Sequence, residues 1–360
     1  MLTTIIIFLL VLSLLVLFHE WGHYITARLT GMDVEEFSIG FPPRVYSWVR
    51  KSDGMKWTIG ALPIGGYVKI KGEDPDAEGA SDKDSFASKK TWQKLLVLVA
   101  GVIMNVVLAA ILLSIGFMIG IPSITEQGAP ELARVRDEAV RVTEVVPGTS
   151  AEGQLKMGDT ILEIDGIAVT EGEAARELLN ESGEEVDLRI DRQGEQQELT
   201  LERTYVESIG SEAIGAGVAT TGFVRYPLWY APIKGIIATF TLLGAIIIAF
   251  WQLIVGLFTG AGMSAAVAGP IGIAAATGEV ASLGFVYLLQ FAAILSLNLA
   301  ILNILPIPAL DGGRVVFVLY EAIFRKPANA KIEAALHNAG FILLMALIVV
   351  VTYRDIVTRL

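Results

Sequence analysis

Long unbroken apolar runs flank a polar, finely alternating middle in this chain. Residues 3–27, opening TTIIIFLLVLSLLVLF, can cross a hydrocarbon core of about 30 Å at about 1.5 Å rise per residue, which predicts a first spanning helix. The run has no basic n-region and no small-residue cleavage site, and it passes straight into HEWGH, so it reads as a retained span and not as a cleaved leader. A second run, 95–120, predicts a second span. From 125 to 220 the pattern changes to short β-branched alternations (RVTEVV, DTILEIDG, VDLRI, QELTLERT) broken by Pro-Gly, Gly-Asp and Asp-Gly turns, with EAARELL at helical spacing. This predicts a small β-rich soluble domain. Apolar runs return near 234–258, 285–305 and 333–352.

Charge gives the spans a direction. Arg28 follows the first run and Lys89, Lys90 and Lys94 precede the second, so the 28–94 segment is expected on the cytoplasmic side and the 125–220 domain outside. Within 28–94, residues 55–71 (MKWTIGALPIGGYVKIK) combine β-formers with Pro63 and a Gly65-Gly66 turn followed by Tyr67. That suits either a hairpin offering a free edge to an extended peptide or a plain surface hairpin.

Composition sharpens this picture. With 53% hydrophobic and 18% charged residues and a mean hydropathy of +0.59, the chain is too apolar for an ordinary soluble domain and too charged to be all membrane. A net charge of -11 without a basic stripe disfavours nucleic acid. The absence of cysteine removes disulfides, zinc ribbons and thiol nucleophiles, leaving any metal to histidine and carboxylates. The chain has three histidines: His19, His23 and His337.

Two of them stand in His19-Glu20-Trp21-Gly22-His23, an H-E-x-x-H spacing in which the imidazoles share one helix face and can reach one zinc ion, with Glu20 beside them to take a proton. Ionisable groups inside an apolar helix cost about 2.5–3.5 kcal/mol each on insertion scales, so an idle cluster there is disfavoured. A catalytic zinc takes three protein ligands and keeps one open position. The third-ligand candidate is Asp311 in NILPIPALDGG (303–313), where Pro306 and Pro308 stop a membrane helix and leave irregular backbone that must line protein or water. A solvated Asp capping the next helix is the plain alternative. His337 is the competing ligand, although a single histidine in a separate apolar run more often finds one local partner. For Asp311 to meet the histidines, 285–305 must run from outside to inside. Residues 234–258 are therefore expected along the outer surface or as a re-entrant element, and both termini outside.

HEWGH in a first membrane helix, NILPIPALDGG late in the chain and a β-rich insert between spans resemble the site-2 protease family of intramembrane zinc metalloproteases, in the bacterial branch typified by the regulator of sigma-E protease. The resemblance extends to Gly101-Val102-Ile103-Met104-Asn105 and Leu297-Asn298-Leu299. It implies one Zn2+ per chain on His19, His23 and Asp311, and Glu20 as general base and acid. It further implies that Asn298 and Asn303 contact the substrate or the developing oxyanion, as do Gly65, Gly66 and Tyr67 of the β element, while Gly101 and Asn105 serve helix packing. The insert resembles a PDZ domain through VVPGTSA (145–151) and KMGDTILEIDG (156–166), where the family can carry two; terminus capture and a steric cap both remain open for it. The expected architecture is a polytopic α-helical membrane protein with about four transmembrane helices, a cytoplasmic-side β-hairpin element and a PDZ-like insert. Its parts are residues 1–124, 125–222 and 223–360.

The expected activity is hydrolysis of single-span membrane proteins in or near their transmembrane segment, in a bacterial inner membrane with the site near the cytoplasmic face. Such substrates include an anti-sigma factor already trimmed by another protease, or signal-peptide remnants. The competing classes are a metal or ion transporter using the same ligands and a catalytically inactive PDZ-bearing scaffold.

Overall fold

The computed structural model describes residues 2–73, 81–126, 128, 130–192, 194–206, 210–259, 268–326 and 329–359. They form two compact units, Met1–Leu113 with Gly235–Leu360, and Ser114–Lys234.

The first unit begins with helix α1 (Leu2–Leu29), which stays helical through HEWGH. It stops where Gly31 takes φ +72° and the Met32 amide bonds back to the Ala27 carbonyl, a glycine-terminated cap that satisfies the last turn. Strands β1 (Val34–Val49) and β2 (Lys56–Ile70) follow, then helix α2 (Thr91–Ile119). Each strand folds over on itself, so the pair makes a four-segment sheet whose outer pairs run antiparallel and whose central pair, 34–39 with 56–59, runs in the same direction. Residues 34–39 lie between 66–70 and 56–59, and 44–49 pairs with the far side of 56–60. The two outer segments, 44–49 and 66–70, are its edges. The expected turn near Gly65-Gly66 falls a little earlier in the structure: Ile39 pairs with both Ile59 and Gly66, so β2 doubles back between those two residues and Gly66 already lies inside the sheet, while a second reversal joins Val49 to Lys56. The glycines serve close approach instead: a Cβ on Gly66 would press on the Ser38 carbonyl oxygen at 2.6 Å, and one on Gly65 would meet the Phe41 ring. One face of this sheet packs Phe37 and Trp57 against Tyr24 of α1, with ring centroids 5.1–6.2 Å apart, above Met55, Ile70 and Val97. Phe41, Val45, Tyr46, Trp48, Val49 and Leu62 remain exposed.

The second unit is β-rich. Strands β3 (Ile121–Ile124), β4 (Arg134–Val145), β5 (Thr160–Ile164), β6 (Ile167–Ala168), β7 (Glu185–Arg192), β8 (Glu195–Glu202), β9 (Thr204–Val206), β10 (Ser211–Ala213) and β11 (Ala216–Arg225) surround one helix, α3 (Gly172–Glu181), which falls on EAARELL. The main sheet has the order β3-β11-β4-β5-β7-β8, with β6 beside β5. Period-two alternation is visible in β7, where Val186, Leu188 and Ile190 point into a core shared with Val140, Val142, Ile161, Ile164, Leu201 and Ala175 of α3.

The chain returns as helices α4 (Ala231–Thr259), α5 (Pro270–Leu283), α6 (Phe285–Ile304), α7 (Asp311–Phe324) and α8 (Ala330–Arg359). By length and composition α1, α2, α4, α6 and α8 can each cross a membrane, which is five against the about four read from sequence; the difference is α4. Helix α5 has no counterpart in the sequence reading, because its small-residue run IGIAAATG carries little periodicity. It is fixed by its neighbours. The buried Asp355 carboxylate of α8 accepts the Gly269 and Gly272 amides at 3.2 and 2.7 Å, capping its start, and a Cβ on Gly278 would strike Thr4 of α1.

Candidate active site

Helices α1 and α2 approach through glycine. A Cβ on Gly22 would collide with the Ala100 carbonyl, and one on Gly101 would fall on His23 Nε2 and within 2.8 Å of His19 Nδ1. Glycine at 101 therefore makes room for both imidazoles, which are buried on the same face of α1. Helix α6 ends at Ile304, ahead of Pro306 and Pro308. The chain then turns back through Ala309 at φ +76°, and Asp311 opens α7. A Cβ on Gly312 or Gly313 would meet the carbonyls of Ile304, Leu305 or Ile307, so the Gly pair lets α7 start tight against this loop.

The result is a near-equilateral triangle of donor atoms. His19 Nε2 and His23 Nε2 are 3.2 Å apart, and Asp311 Oδ2 lies 3.1 Å from the first and 3.3 Å from the second. Among the described residues this is the group of three side chains able to hold one metal ion. Tetrahedral zinc, with bonds of about 2.0–2.1 Å to such donors, separates its ligands by about 3.3 Å. The triangle thus fits zinc. The rest of the donor set agrees: His23 Nδ1 is 2.8 Å from the Val97 carbonyl oxygen, which can only accept, so the proton sits on Nδ1 and the Nε2 lone pair faces the triangle.

A cleft of about 260 Å³ opens on this triangle, lined by Val16, His19, Glu20, Phe41, Gly65, Gly66, Leu299, Asn303, Ala309, Leu310 and Asp311. Glu20 and the sheet edge share it, and a Cβ on Gly66 would stand 3.8 Å from Glu20 Cγ. Asn303 also enters, with Nδ2 3.5 Å from His19 Nε2. Asn105 reaches His19 from behind, Nδ2 to Nδ1 at 3.3 Å. Other sequence candidates lie elsewhere. Asn298 donates to the Ile294 carbonyl of its own helix at 2.9 Å, and the Tyr67 hydroxyl turns to Glu36. His337 is apart from the triangle and accepts the Ala309 amide on Nδ1 at 3.0 Å, bracing the loop that carries Asp311. Sequence reasoning passed over Val16, Phe41, Leu299, Ala309 and Leu310 as cleft walls, since apolar residues in apolar runs carry no signal. The Val97 carbonyl is main chain and carries none either.

The sheet is bound to the end of α1 by charge, with Asp53 accepting from Arg28 at 2.7 Å and also from Arg50. The Arg50 guanidinium holds the Asp53 carboxyl down at about 2. Within the sheet, burial would raise the Glu36 carboxyl. Hydrogen bonds from Thr58 and Tyr67 and the charge of Arg44 outweigh that and keep it below its ordinary value.

A family model described as Peptidase family M50 matches residues 7–347. A putative zinc metalloprotease of Fusobacterium nucleatum is 34% identical, covering 98% of this chain and 98% of its own. A putative zinc metalloprotease of Clostridium perfringens is 36% identical with the same coverages. The regulator of sigma-W protease RasP of Bacillus subtilis is 30% identical, again over 98% of each chain. Among solved structures, the PDZ domain of an SdrC-like protein from Listeria innocua aligns over 22% of this chain and 90% of its own, at 25% identity and a TM-score of 0.20.

Proposed function

Since the chain belongs to Peptidase family M50 and is a zinc metalloprotease, we propose that it hydrolyses a peptide bond within or beside the transmembrane segment of single-span membrane proteins. The observation that carries this reading is a single cleft, walled by apolar helices, that joins the His19–His23–Asp311 triangle, Glu20 and a sheet edge. His19, His23 and Asp311 are the zinc ligands. Zinc held there supplies Lewis acidity to the scissile carbonyl and makes water nucleophilic near neutral pH.

The chain's own groups do the rest. The 66–70 edge takes a locally unwound substrate segment as an added strand, which holds the scissile bond extended over Glu20. The absence of Cβ atoms at Gly65 and Gly66 keeps that approach open. Glu20 takes a proton from the attacking water and delivers it to the leaving nitrogen. Asn303 donates to the carbonyl oxygen as negative charge builds on it. Of Gly65, Gly66, Tyr67 and Asn298, the two glycines line the cleft and meet the substrate there, while Tyr67 and Asn298 support from outside it.

Residues 1–124, 125–222 and 223–360 act as an N-terminal membrane half, an extracytoplasmic PDZ-like domain and a C-terminal membrane half of a bacterial inner-membrane enzyme. Arg28, Lys89, Lys90 and Lys94 near the histidine end of α1 and the start of α2 support a cytoplasmic site. Helix α5 packs at the other end of α1, which supports 234–258 returning the chain outside. The RasP relative's name supports a substrate that controls a sigma factor, such as an anti-sigma factor already trimmed outside. Because the chain lacks cysteine, a single cysteine at Ser282 reports sidedness directly: labelling by an impermeant reagent from outside is expected, and labelling only from the cytoplasm rejects this topology.

The deciding experiment compares zinc content and cleavage of a single-span substrate in detergent for the wild type, Glu20→Gln and Asp311→Asn. One zinc per chain in the wild type is expected, with Glu20→Gln keeping zinc but losing about 10²–10⁴ in rate and Asp311→Asn binding zinc weakly. Equal zinc in all three with no cleavage by any overturns the reading and returns His337 to contention as a ligand.

A further inference from the structure

Both ligating imidazoles need their remote nitrogen held, and the two are held differently. His23 Nδ1 faces the Val97 carbonyl, an acceptor with no proton to give, so only one tautomer fits. His19 Nδ1 faces the side-chain amide of Asn105, a residue with no exposed surface in the middle of α2. The Asn105 main-chain carbonyl is itself pinned by the Ser296 hydroxyl of α6 at 2.8 Å, so the residue stands where three helices meet.

The carboxamide turns Nδ2 toward His19 Nδ1 and leaves its own Oδ1 buried without a hydrogen-bond partner. An amide donor at Nδ1 suits a histidine protonated on Nε2. A histidine that ligates through Nε2 carries its proton on Nδ1, and that proton needs an acceptor. Rotating the carboxamide by half a turn about its terminal bond, a soft and nearly two-fold torsion, exchanges the two groups with almost no change in shape. Oδ1 then gains the partner it lacks while Nδ2 takes its former place, and the Nδ1 proton gains the acceptor that zinc ligation through Nε2 requires. A residue placed for helix packing alone has no use for a buried amide at this position, because leucine or alanine fills space without the cost of desolvating polar atoms.

We propose that Asn105 is the positioning residue for His19, its Oδ1 accepting the His19 Nδ1 proton and so fixing the tautomer whose Nε2 binds zinc. The inference rests on the proposed ligand set and extends it one residue outward. It also distinguishes the two histidines. His23 is locked by main chain and no side-chain substitution can release it, whereas His19 is set by a side chain and can be released by changing one residue.

The test uses the full-length protein in detergent, with zinc affinity read by competition against a chromophoric chelator. Histidine tautomers are read by nitrogen-15 NMR of histidine-labelled protein loaded with zinc or cadmium. Asn105→Leu keeps the volume and removes the acceptor; Asn105→Asp keeps the acceptor. Asn105→Leu is expected to weaken zinc binding by about 10- to 100-fold, the usual loss for a missing outer-shell partner, and to shift or broaden the His19 Nδ1 resonance while leaving His23 unmoved. Asn105→Asp is expected to stay within a few-fold of the wild type. Zinc binding by Asn105→Leu within threefold of the wild type overturns the proposal. So does an aspartate variant no better than the leucine variant, which would mean that shape at this position matters and the acceptor does not. If the wild type itself shows no metal coupling to His19 Nε2, the ligand set fails and the inference falls with it. If that coupling is present and Asn105→Leu still binds zinc like the wild type, the ligand set stands and the inference alone is lost.

Discussion

Helices α1 and α8 look alike as sequence: each is a long apolar run able to cross a membrane, and each carries histidine and an acid. In the fold they do different work. Helix α1 turns His19 and His23 inward against Gly101 of α2, with Glu20 at the adjoining cleft. Helix α8 uses His337 to hold the Ala309 amide and Asp355 to cap α5. Hydropathy therefore locates both helices without separating chemistry from support. What separates them is the neighbour: a glycine-bearing helix lets two imidazoles meet a third ligand, whereas a loop amide consumes the one imidazole it faces.

The sharpest way to break this comparison is to crowd the α1 face. Gly101→Ala sets a methyl group on His23 Nε2 and 2.6 Å from His19 Cε1. Neither neighbour can move without leaving the triangle, and overpacking of this kind costs about 1–3 kcal/mol. Zinc affinity is expected to fall by at least about tenfold and cleavage to fall with it, as read by chelator competition and substrate assay. An alanine variant that binds zinc normally would mean that the helices can slide apart, and that the fit between α1 and α2 does not shape the site.

The matching change on α8 is His337→Ala. It strips the acceptor from a loop amide, and an unsatisfied amide costs about 1–3 kcal/mol. Thermal unfolding is expected several degrees lower, while one zinc per chain still binds. Loss of zinc in this variant would erase the distinction between the two helices. Asp355→Asn tests the other support more gently. The two capping bonds to α5 lose their charge, which is worth about 0.5–2 kcal/mol, and zinc binding is expected unchanged.

Legibility in the sequence followed the same division. The histidine pair was readable because i and i+4 share a helix face, and Asp311 because Pro306 and Pro308 break a membrane run just before it. The β-rich unit was readable because β7 and β8 alternate with water on one side. The sheet of β1 and β2 was half hidden. Its sequence, EEFSIGFPPRVYSW, lacks a clean period of two, because its outer segment presents Val45, Tyr46, Trp48 and Val49 to the surroundings instead of a polar face. Gly65 and Gly66 announced the reversal of β2 that they follow, but not their close approach to Phe41 and Ser38, because glycine serves turns and close strand contacts equally well. Asn105 left a readable trace, one amide in the apolar run 95–120, but its partner lay 86 positions away on another helix.

The smallest expected effect lies at the joint between α1 and the β1–β2 sheet, and pH exposes it. Asp53 bonds Arg28, near the end of α1, and Arg50, at the end of β1, and its carboxyl is depressed to about 2 by Arg50 first of all. A carboxyl depressed on folding stabilises the protein above its unfolded value of about 3.9. That contribution is lost as pH falls through the folded value, so nothing should change here between pH 7 and about 5, and the loss should be spread between about pH 4 and 2. The pair is half-exposed, which keeps the effect small and sensitive to salt. Difference unfolding curves of the wild type and Asp53→Asn should therefore separate above pH 4 and converge toward pH 2. Curves that stay parallel down to pH 2 would show that the β1–β2 sheet is held to α1 by the Tyr24, Phe37 and Trp57 ring cluster, with no measurable share from charge.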